Sequence, residues 1–381
     1  MKNSKNKNIT VLSLDPRGIV LSDSLVTASR QYEYAKNLSK LDNDFKYIVF
    51  SSYNGSHKDV KRVQFEIINL YHKTFNSFIF AYLSYKKIVD RSLDVKLIVV
   101  GDPWESYWSA FFLNKFLKSK IPIQIQLHGD IADPKWRKIN LKNRFRFLLA
   151  KNSLNKCEVI RCVSKRQKLN LIKFFGLNGK KIIVIPVPIE VDTKLLVPPK
   201  RPRTIGFVGR IHEDRGIWNF VKLVKNLNKL DTGFKLLIAG DGSARDEFIH
   251  QLESVIAKNR IKYLGQISQG KLRSSWKSIG VLVSMAPVES YGRVLRESLL
   301  AGVPVWATAS SGVVDLLESA EPGTVKILDL EKNESDLHKD FESLLRVKVG
   351  PKFRDKFIKE NNSYSDELAK SWIDTIENFN K

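Results

Sequence analysis

The chain is poor in sulfur-containing residues: of its 381 residues, 2 are cysteine and 2 are methionine. The spacing of Cys157 and Cys162 matches no zinc-binding pattern, and two thiols make no disulfide framework. A zinc module and a disulfide-stapled secreted scaffold are therefore not expected. Low cysteine usage of this kind is typical of a reducing, cytoplasmic setting.

Long apolar runs are lacking as well. No stretch approaches the about 18 uninterrupted apolar residues that a membrane-spanning helix needs. The basic start "MKNSKNKN" leads directly into a strand-like run, without the apolar core of a signal peptide. We expect a cytoplasmic protein that at most lies on the inner face of a membrane.

Acidic residues are scarce in the first half of the chain. Residues 1–200 hold 36 Lys+Arg and 16 Asp+Glu, a surplus of 20, whereas the remainder holds 28 and 24, a surplus of 4. Such asymmetry indicates a polyanionic partner for the first half, either nucleic acid or an anionic membrane surface. A lysine-rich genome bias is the alternative, but a uniform bias would not by itself spare residues 201–381.

Short apolar runs alternate with longer amphipathic ones along the whole chain. This alternation predicts an α/β fold of two tandem doubly wound, Rossmann-like domains that face each other across a cleft, with ligands beyond the carboxyl ends of the strands. The predicted parts are a first domain (1–196), a linker "VPPKRPR" (197–203), a second domain (204–355) and a C-terminal helix (356–381) that packs back on the first domain.

Two arginines follow the strand-like run "TIGFVG". Arg210 and Arg215 lie between this run and the next helix, where guanidinium groups and helix N–H groups can bind a diphosphate together. A solvated basic turn, with Arg215 paired to Glu213 or Asp214, is the equally weighted alternative.

Two glutamates flank the start of the helix in "PVESYGRVLRESLLAGVPV". Glu289 and Glu297 could accept hydrogen bonds from ligand hydroxyls, while Gly292 allows the backbone to come close. The structural alternatives are a helix N-terminal charge for Glu289 and an ion pair with Arg293 for Glu297. Eight helical residues would separate the two glutamates by about 12 Å, whereas a glycosidase pair needs roughly 5 to 9.5 Å.

Taken in order, "GFVGR…RG", "LLIAGDG", "YLGQIS" and "ESYGRVLRESLLAGVPV" resemble the C-terminal domain of retaining GT-B glycosyltransferases of family 4, the "glycosyl transferases group 1" type. "IQLHGD" and "RCVSKRQKLNLIKFFGLNGKKIIVIPVPIEVD" look like the matching stretches of that family's N-terminal domain. The resemblance covers most of the chain and is looser in residues 1–120. It implies that the first domain (1–196) binds the acceptor and that the second domain (204–355) binds the nucleotide sugar.

The resemblance implies a role for each matching residue. Arg210 and Arg215 would hold the donor diphosphate, although the family usually has lysine at the second position. Glu289 would bind the transferred sugar and Glu297 the ribose. The other implied residues lie near the diphosphate, near the base, beside the sugar through backbone groups, or close to the acceptor: Gly18, Gln266, Ile267, Ser268, Tyr291, Gly292, Arg293, Val294 and His128.

The resemblance further implies the reaction. It is transfer of a sugar from a nucleoside-diphosphate sugar to a glycan or lipid-linked acceptor, with retention and without a metal or other cofactor, as in surface polysaccharide, lipopolysaccharide or glycolipid biosynthesis. A sugar-nucleotide epimerase of the same fold and a non-catalytic polyanion-binding protein are the alternatives. No nucleic-acid-binding module is recognisable, so nucleic acid is not the expected partner.

The segment "KWRKINLKNRFRFLLAK", Lys135 to Lys151, holds seven basic residues and no acidic one, interleaved with Trp136, Phe145 and Phe147. This pattern suits a helix that lies on an anionic membrane. A solvated helix whose aromatic side chains face the core is the alternative.

Overall fold

The computed structural model describes residues 9–22, 26–55, 59–72, 76–191 and 202–380. Apart from Pro202 and Arg203, the predicted linker therefore lies outside the described residues.

These residues form two compact units. Unit 1 takes the chain up to Ala132, Asn140–Pro186 and the chain from Asn362 onward, and unit 2 takes Asp133–Ile139 and Val187–Asn361. The division differs from the sequence-based boundaries mainly in that the short segments 133–139, 187–191 and 356–361 group with unit 2.

Unit 1 is built on an eight-stranded sheet in the order β3-β4-β2-β1-β5-β6-β7-β8, parallel except for β3, which runs antiparallel to β4. The strand order reverses once, between the neighbouring strands β1 and β5. The strands are β1 (Ile9–Asp15), β2 (Phe45–Ser51), β3 (Val60–Arg62), β4 (Phe65–Asn69), β5 (Asp94–Val100), β6 (Ile123–Leu127), β7 (Val159–Cys162) and β8 (Ile182–Val184).

Unit 2 is built on a six-stranded parallel sheet in the order β11-β10-β9-β12-β13-β14. The strand order reverses between β9 and β12, which is where doubly wound sheets bind their ligands. The strands are β9 (Thr204–Val208), β10 (Lys235–Ala239), β11 (Ile261–Tyr263), β12 (Val281–Ser284), β13 (Val305–Ala307) and β14 (Val325–Ile327). Two doubly wound sheets confirm the predicted fold class.

Helices connect the strands. In unit 1 they are α1 (Ile19–Ser22), α2 (Val26–Leu41), α3 (Ser77–Asp90), α4 (Glu105–Phe116), α6 (Leu141–Lys156) and α7 (Lys165–Phe175). In unit 2 they are α5 (Pro134–Ile139), α8 (Ile217–Asn228), α9 (Arg245–Val255), α10 (Gln269–Ser275), α11 (Arg293–Leu300), α12 (Ser311–Ser319) and α13 (Glu334–Arg346). The last helix, α14 (Pro351–Phe379), has residues in both units.

The C-terminal part of α14 completes the core of unit 1. Trp372 is fully buried, stacks on Tyr47 with ring centroids 4.9 Å apart, and donates its indole N–H to Gln124 Oε1 at 2.9 Å. The tryptophan therefore has its polar group satisfied as well as its rings packed, which is what burial of this residue requires.

The pair β3 and β4 was not predicted from the sequence. Strand β4, "FEIIN", carries a glutamate in the middle of its apolar run, and Glu66 is nevertheless buried. Lys46 and Arg91 donate to its two carboxylate oxygens at 2.9 and 2.6 Å and lower the pKa of the carboxyl, even though burial alone would raise it. A carboxylate that is bound by two cations can be buried in a strand, even where the hydropathy pattern does not predict one.

Both cysteines are buried and neither forms a disulfide. Burial raises the pKa of each thiol, Cys157 and Cys162, to about 12. Within the described ranges, no helix combines the length and the apolar character needed to cross a bilayer.

Candidate functional site

The point in unit 2 where the strand order reverses brings an arginine and a glutamate together. Arg215 ends a short 3-10 turn after β9, and Glu289 lies in the connection that follows β12. Arg215 Nη2 donates to Glu289 Oε2 at 3.0 Å, and the two side chains are 29% and 20% exposed. The carboxylate partner of Arg215 is therefore neither Glu213 nor Asp214.

Arg210 differs from Arg215 in its surroundings. Its side chain is 63% exposed and pairs with Asp214 Oδ2 at 2.9 Å. The basic-turn alternative thus describes Arg210 rather than Arg215. An exposed pair of this kind contributes little to stability, so Arg210 can exchange its partner for an anionic ligand at little cost.

Glycines allow the loops that carry these arginines to pack tightly. Gly240 has a φ of 142°, and a Cβ on it would lie 1.8 Å from Gly209 O. Gly216, with a φ of 69°, would place a Cβ 2.1 Å from Met285 O. Side chains at these two positions would push the loops after β9, β10 and β12 apart, so glycine is required by contact as well as by conformation.

Glu289 is held by backbone as well as by Arg215. Its Oε1 accepts the N–H of Gly292 at 3.1 Å, and its main-chain oxygen accepts the N–H of Gly312 at 2.6 Å. One of the N–H groups expected to meet the donor is therefore occupied by the protein itself. The sequence analysis missed Gly312, where a Cβ would lie 2.7 Å from Tyr291 C. The sequence feature that could have indicated Gly312 is the "SSG" stretch where α12 begins.

Helix α11 begins only at Arg293, with Gly292 as its N-cap residue at a φ of 72°. Glu289 therefore lies outside the helix. The predicted separation of about 12 Å assumed eight helical residues between the two glutamates, and that assumption is wrong. What distinguishes the two glutamates is their environment. Glu289 bonds Arg215 and Gly292, whereas Glu297 lies on α11.

Glu297 lies in a small pocket of its own. Its side chain is 11% exposed, with Arg293 Nη2 at 3.6 Å from Oε1, so the i,i+4 pair exists but is long. Arg273 also faces this pocket and is bound by Glu190 at 2.7 Å. Burial raises the pKa of the Glu297 carboxyl, because the charges of Arg293 and Arg273 offset the loss of solvation only in part. Sequence reasoning missed Arg273, which no motif marks.

The raised pKa of Glu297 predicts a pH-dependent stability. The folded protein holds this proton more tightly than the unfolded chain, whose carboxyl titrates near 4.5, so ionisation destabilises the fold as pH rises above that value. Glu297→Gln should therefore raise Tm relative to wild type at pH 7, and the gain should shrink as pH falls towards 4.5.

Thermal unfolding between pH 4.5 and 8 measures this difference. Glu334→Gln is the control of opposite sign, because hydrogen bonding from Lys229 at 2.6 Å lowers the pKa of Glu334. Relative to wild type, Glu334→Gln should become less stable as pH rises. A Tm difference for Glu297→Gln that does not change with pH would contradict the interpretation.

A buried arginine supports the loop in front of α11. Arg296 is 6% exposed, and its Cζ lies 3.8 Å from the centroid of the Tyr291 ring. A desolvated cation–π contact is worth about 2 kcal/mol, so this pair helps to fix the backbone from Tyr291 to Val294. Arg296 was not among the predicted residues, since a charged side chain in an amphipathic helix is expected on its solvent face.

The segment predicted to lie near the nucleotide base follows β11. Gln266 and Ser268 are exposed and Ile267 is partly buried, and Ser268 caps α10 by accepting the N–H of Lys271 at 3.3 Å. Gly265 O accepts the N–H of Gly240 at 2.8 Å, which fixes this segment beside the loop after β10. It therefore shares the carboxyl edge of the sheet with the two arginines.

Gly18 and His128 belong to unit 1. Gly18 has a φ of 67°, and a Cβ there would lie 2.3 Å from Ser52 O. Next to it, Arg17 pairs with Asp102 at 2.7 Å and so joins the loops after β1 and β5, where the strand order of this sheet reverses. His128 directly follows β6 and is exposed.

Within the described residues, Asp231, His338 and Glu342 are grouped closely enough to hold a metal ion. Arg203 already binds both carboxylates, at 2.5 and 2.6 Å. The cluster is therefore an ion-pair network around an arginine rather than a metal centre. An Asp-x-Asp pair precedes β2, where Asp42 accepts the N–H of Asp44 at 2.9 Å and closes a turn.

Comparison with known families settles the class. The profile described as "Glycosyl transferases group 1" matches residues 189–363, and that of "Glycosyltransferase Family 4" matches residues 28–193. The chain belongs to the group 1 glycosyltransferases. The family resemblance inferred from the motifs is thereby confirmed.

Curated relatives of this group 1 chain are distant. The chain is 22% identical over 238 residues to a phosphatidylinositol N-acetylglucosaminyltransferase subunit of Schizosaccharomyces pombe, covering 61% of this chain and 50% of that protein. It is 22% identical over 289 residues to an N-acetyl-D-galactosaminyltransferase of Campylobacter jejuni whose name specifies an undecaprenol-linked glycan, covering 73% and 76%. The match spans about half of the first relatives' own length, 50% and 45% for two of them.

Solved structures establish the architecture. A glycosyltransferase from Rickettsia africae superposes with a TM-score of 0.68 at 19% identity, covering 97% of this chain and 99% of that one. Anabaena Alr3699/HepE, solved with UDP and glucose, superposes with a TM-score of 0.67 at 16% identity, covering 95% and 98%. Identities this low show the fold alone, and that fold is the predicted two-domain GT-B architecture.

Proposed function

We propose that the chain transfers a sugar from a nucleoside-diphosphate sugar to a glycan or lipid-linked acceptor, with retention of anomeric configuration. The observation that carries this proposal is the Arg215–Glu289 pair at the point where the strand order of unit 2 reverses. It joins a cation suited to a diphosphate with a carboxylate suited to sugar hydroxyls. Family membership and the donors named for solved relatives support the same reaction.

In this proposal, different residues of unit 2 bind different parts of the donor. Arg210 and Arg215 bind the diphosphate, Glu297 binds the ribose, and Glu289 binds the transferred sugar together with the backbone at the start of α11. The segment from Gln266 to Ser268 lies beside the base. The same scheme assigns His128 of unit 1 to the sugar and acceptor and Gly18 to the diphosphate.

The chemical work falls mainly to the arginines. Negative charge builds up on the nucleoside diphosphate as the glycosidic bond breaks, and fixed cations aimed at that charge stabilise the transition state. Because Glu289 accepts from both Arg215 and Gly292, a sugar that bonds Glu289 is also placed beside the cation that receives the leaving group.

Metal independence is part of the proposal. Two guanidinium groups supply the positive charge that other enzymes obtain from a divalent cation, so chelation with EDTA should leave transfer unchanged. A loss of transfer that Mg²⁺ or Mn²⁺ restores would contradict this point.

A donor screen tests the reaction class. Release of nucleoside diphosphate is measured from a panel of sugar nucleotides, with and without lipid-linked acceptors, and the product's anomeric configuration is read by NMR. We expect release that depends on one donor and is stimulated by an acceptor. Conversion of a sugar nucleotide to its epimer would favour the epimerase, and no binding of any sugar nucleotide would contradict the transferase.

The two glutamates should separate binding from transfer. Glu297→Ala should weaken nucleoside diphosphate binding by about ten-fold or more, because charge-assisted hydrogen bonds contribute about 1.5–3 kcal/mol. Glu289→Ala should leave nucleotide affinity within a few fold and mainly impair transfer. Calorimetric titration with the nucleoside diphosphate, together with the transfer assay, measures both effects.

Glu331→Ala is the matched control, since this glutamate is 88% exposed and its ion pair with Lys222 is long, at 3.9 Å. It should change neither quantity. Full transfer activity in both Glu289→Ala and Glu297→Ala would show that these assignments are wrong.

The lipid-linked acceptor is the finer part of the proposal. Two relatives carry names that specify a phosphatidylinositol or an undecaprenol-linked substrate, and the first half of this chain has a surplus of 20 basic residues, 36 against 16 acidic. A lipid-linked acceptor would place the protein at the inner face of a membrane. Stimulation of donor turnover by a water-soluble glycan but by no polyprenyl-linked one would contradict it.

A further inference from the structure

Three helices of unit 1, α3, α4 and α6, form a continuous surface. Helix α3 contacts α4 through Phe78 and Phe112, whose ring centroids are 5.4 Å apart. Helix α4 contacts α6 through Glu105, which accepts from Arg146 at 2.7 Å, and through Trp104, which donates to Arg146 O at 2.7 Å. We call the solvent side of these three helices the aromatic face.

A run of aromatic rings crosses α3 and α4 on this face. Phe78 is 50% exposed, Tyr82 is 42% exposed, and the remaining rings are partly exposed. Neighbouring ring centroids are 5.1 to 6.4 Å apart, so the rings form one connected cluster at the surface. The members are Phe78, Tyr82, Tyr85, Trp108, Phe111, Phe112 and Phe116.

Helix α6 exposes apolar residues of its own. Leu141, Phe145 and Leu148 are 77%, 62% and 69% exposed and follow one another at helical spacing, so they form a stripe on one side of the helix. The opposite side holds the buried residues, among them Ala150 and Leu154. Soluble monomers seldom expose this many large apolar side chains on neighbouring helices without using them.

The charges around the apolar residues are almost all positive. Helix α6 contains no aspartate or glutamate, and α3 and α4 contain only Asp90 and the neutralised Glu105. Exposed basic residues lie on the same three helices or directly after them: Lys86, Lys115, Lys118, Lys120, Lys142, Arg144, Lys151 and Lys156.

Two of these lysines lie directly over rings of the cluster. Lys86 Nζ is 5.1 Å from the Tyr82 ring centroid and Lys115 Nζ is 5.6 Å from that of Phe111. Aromatic rings with ammonium groups beside them match the boundary between acyl chains and headgroups, where the rings enter the apolar layer and the lysines reach anionic groups.

We propose that the aromatic face docks unit 1 on an anionic phospholipid bilayer. The occupant is identified by charge: an apolar surface bordered by lysine and arginine complements anionic headgroups, and each basic residue near such a surface adds to the attraction. This inference does not rest on the proposed transfer reaction, since docking can be measured without donor or acceptor.

The face differs from the segment that the sequence analysis singled out. Lys135–Lys151 is two helices, α5 in unit 2 and α6 in unit 1, and not one amphipathic helix. Of its aromatic residues, Phe147 stacks on Phe175 with centroids 4.4 Å apart, while Phe145 is exposed. The single-helix interpretation is therefore wrong, and α3 and α4 supply most of the aromatic surface.

Flotation of the full-length chain with vesicles tests the proposal. Vesicles of phosphatidylcholine alone are compared with vesicles that also contain phosphatidylglycerol, at low and high salt. Binding should require the anionic lipid and should weaken with salt, because exposed charges are screened. Absence of binding to anionic vesicles at low salt would overturn the proposal.

Two double variants locate the docking surface. Lys142→Glu with Lys151→Glu should reduce vesicle binding at least about ten-fold, because the variant repels anionic lipid where wild type attracts it. Phe145→Ser with Leu148→Ser should reduce it to a similar extent through lost apolar insertion. All four side chains are exposed, so the variants should unfold at the wild-type temperature, which thermal unfolding checks.

Matched controls come from unit 2. Lys222→Glu with Lys258→Glu changes charge equally at side chains that are 54% and 84% exposed. Leu230→Ser with Leu317→Ser changes leucines that are 55% and 43% exposed. Equal loss of binding in controls and face variants would overturn the assignment, as would a homodimer in solution that the α6 substitutions abolish.

Discussion

Replacing Arg215 by alanine should lower the rate of sugar transfer by about two to three orders of magnitude, the usual loss when a fixed group that stabilises transition-state charge is removed. The side chain is 29% exposed and is held by Glu289 at 3.0 Å, so it is positioned before the donor binds. Its removal also leaves the 20%-exposed Glu289 without its cation. Both effects should act on transfer, whereas in the proposed scheme Arg210 and Glu297 also contribute to nucleotide affinity.

Steady-state transfer kinetics with the donor identified by the screen measure this effect. Arg215→Lys should retain much of the activity, because lysine keeps the positive charge that stabilises the leaving group. Arg346→Ala is the control, since Arg346 is 80% exposed and only pairs with Glu342 at 3.4 Å. Transfer by Arg215→Ala within about two-fold of wild type would be incompatible with a role in stabilising the leaving group.

The strands that position this site could be predicted from the sequence. Strands β9, β10, β12 and β13 are largely apolar runs bounded by turn residues, which is the pattern of buried parallel strands. The edge strands β11, "IKY", and β14, "VKI", each carry a lysine in the middle. Because ligand-binding residues follow such strands, the positions of Arg210, Arg215 and Glu289 could be inferred before the fold was known. The strand order supplies the reason, since β9 and β12 are neighbours in the sheet.

The pairing of these residues could not be predicted. Arg215 and Glu289 are 74 positions apart. Glu213 and Asp214 are much closer to Arg215 in the sequence and carry the same charged group, so the sequence does not distinguish among these partners. The choice is made by backbone packing: Gly216 against Met285 brings the end of the 3-10 turn to the strand β12 loop. A contact of this kind depends on the absence of a side chain, which no charge pattern reveals.

The aromatic face was also beyond sequence reasoning. Helix α3, "SFIFAYLSYKKIVD", is apolar over most of its circumference, a pattern typical of a buried helix. In the structure one side of it packs inward through Phe80, Ala81 and Ile88, while Phe78, Tyr82 and Val89 are exposed. The exposed apolar residues of α3 can be identified only when the structure shows which side of the helix is buried.

Gly240→Ala should destabilise unit 2 by about 3 kcal/mol or more, the range typical of backbone strain combined with a steric clash. A Cβ at this position would lie 1.8 Å from Gly209 O and 2.8 Å from Gly209 C, and backbone atoms cannot move aside as a side chain can. The φ of 142° adds strain for any residue with a Cβ. For a unit of this size the loss corresponds to a fall in Tm of roughly 6–12 °C.

Differential scanning calorimetry measures the fall, and Gly323→Ala is the matched control within unit 2. Gly323 also has a positive φ, 80°, but its nearest neighbour is a Val347 methyl group at 3.3 Å, which can move. The control should cost only the about 1–2 kcal/mol of the left-handed conformation. Because the clash at Gly240 displaces Gly209 and hence Arg210, Gly240→Ala should also weaken nucleotide binding, whereas Gly323→Ala should not. Equal Tm values for the two variants would show that the loops after β9 and β10 can separate without cost, and the diphosphate site would then not depend on their contact.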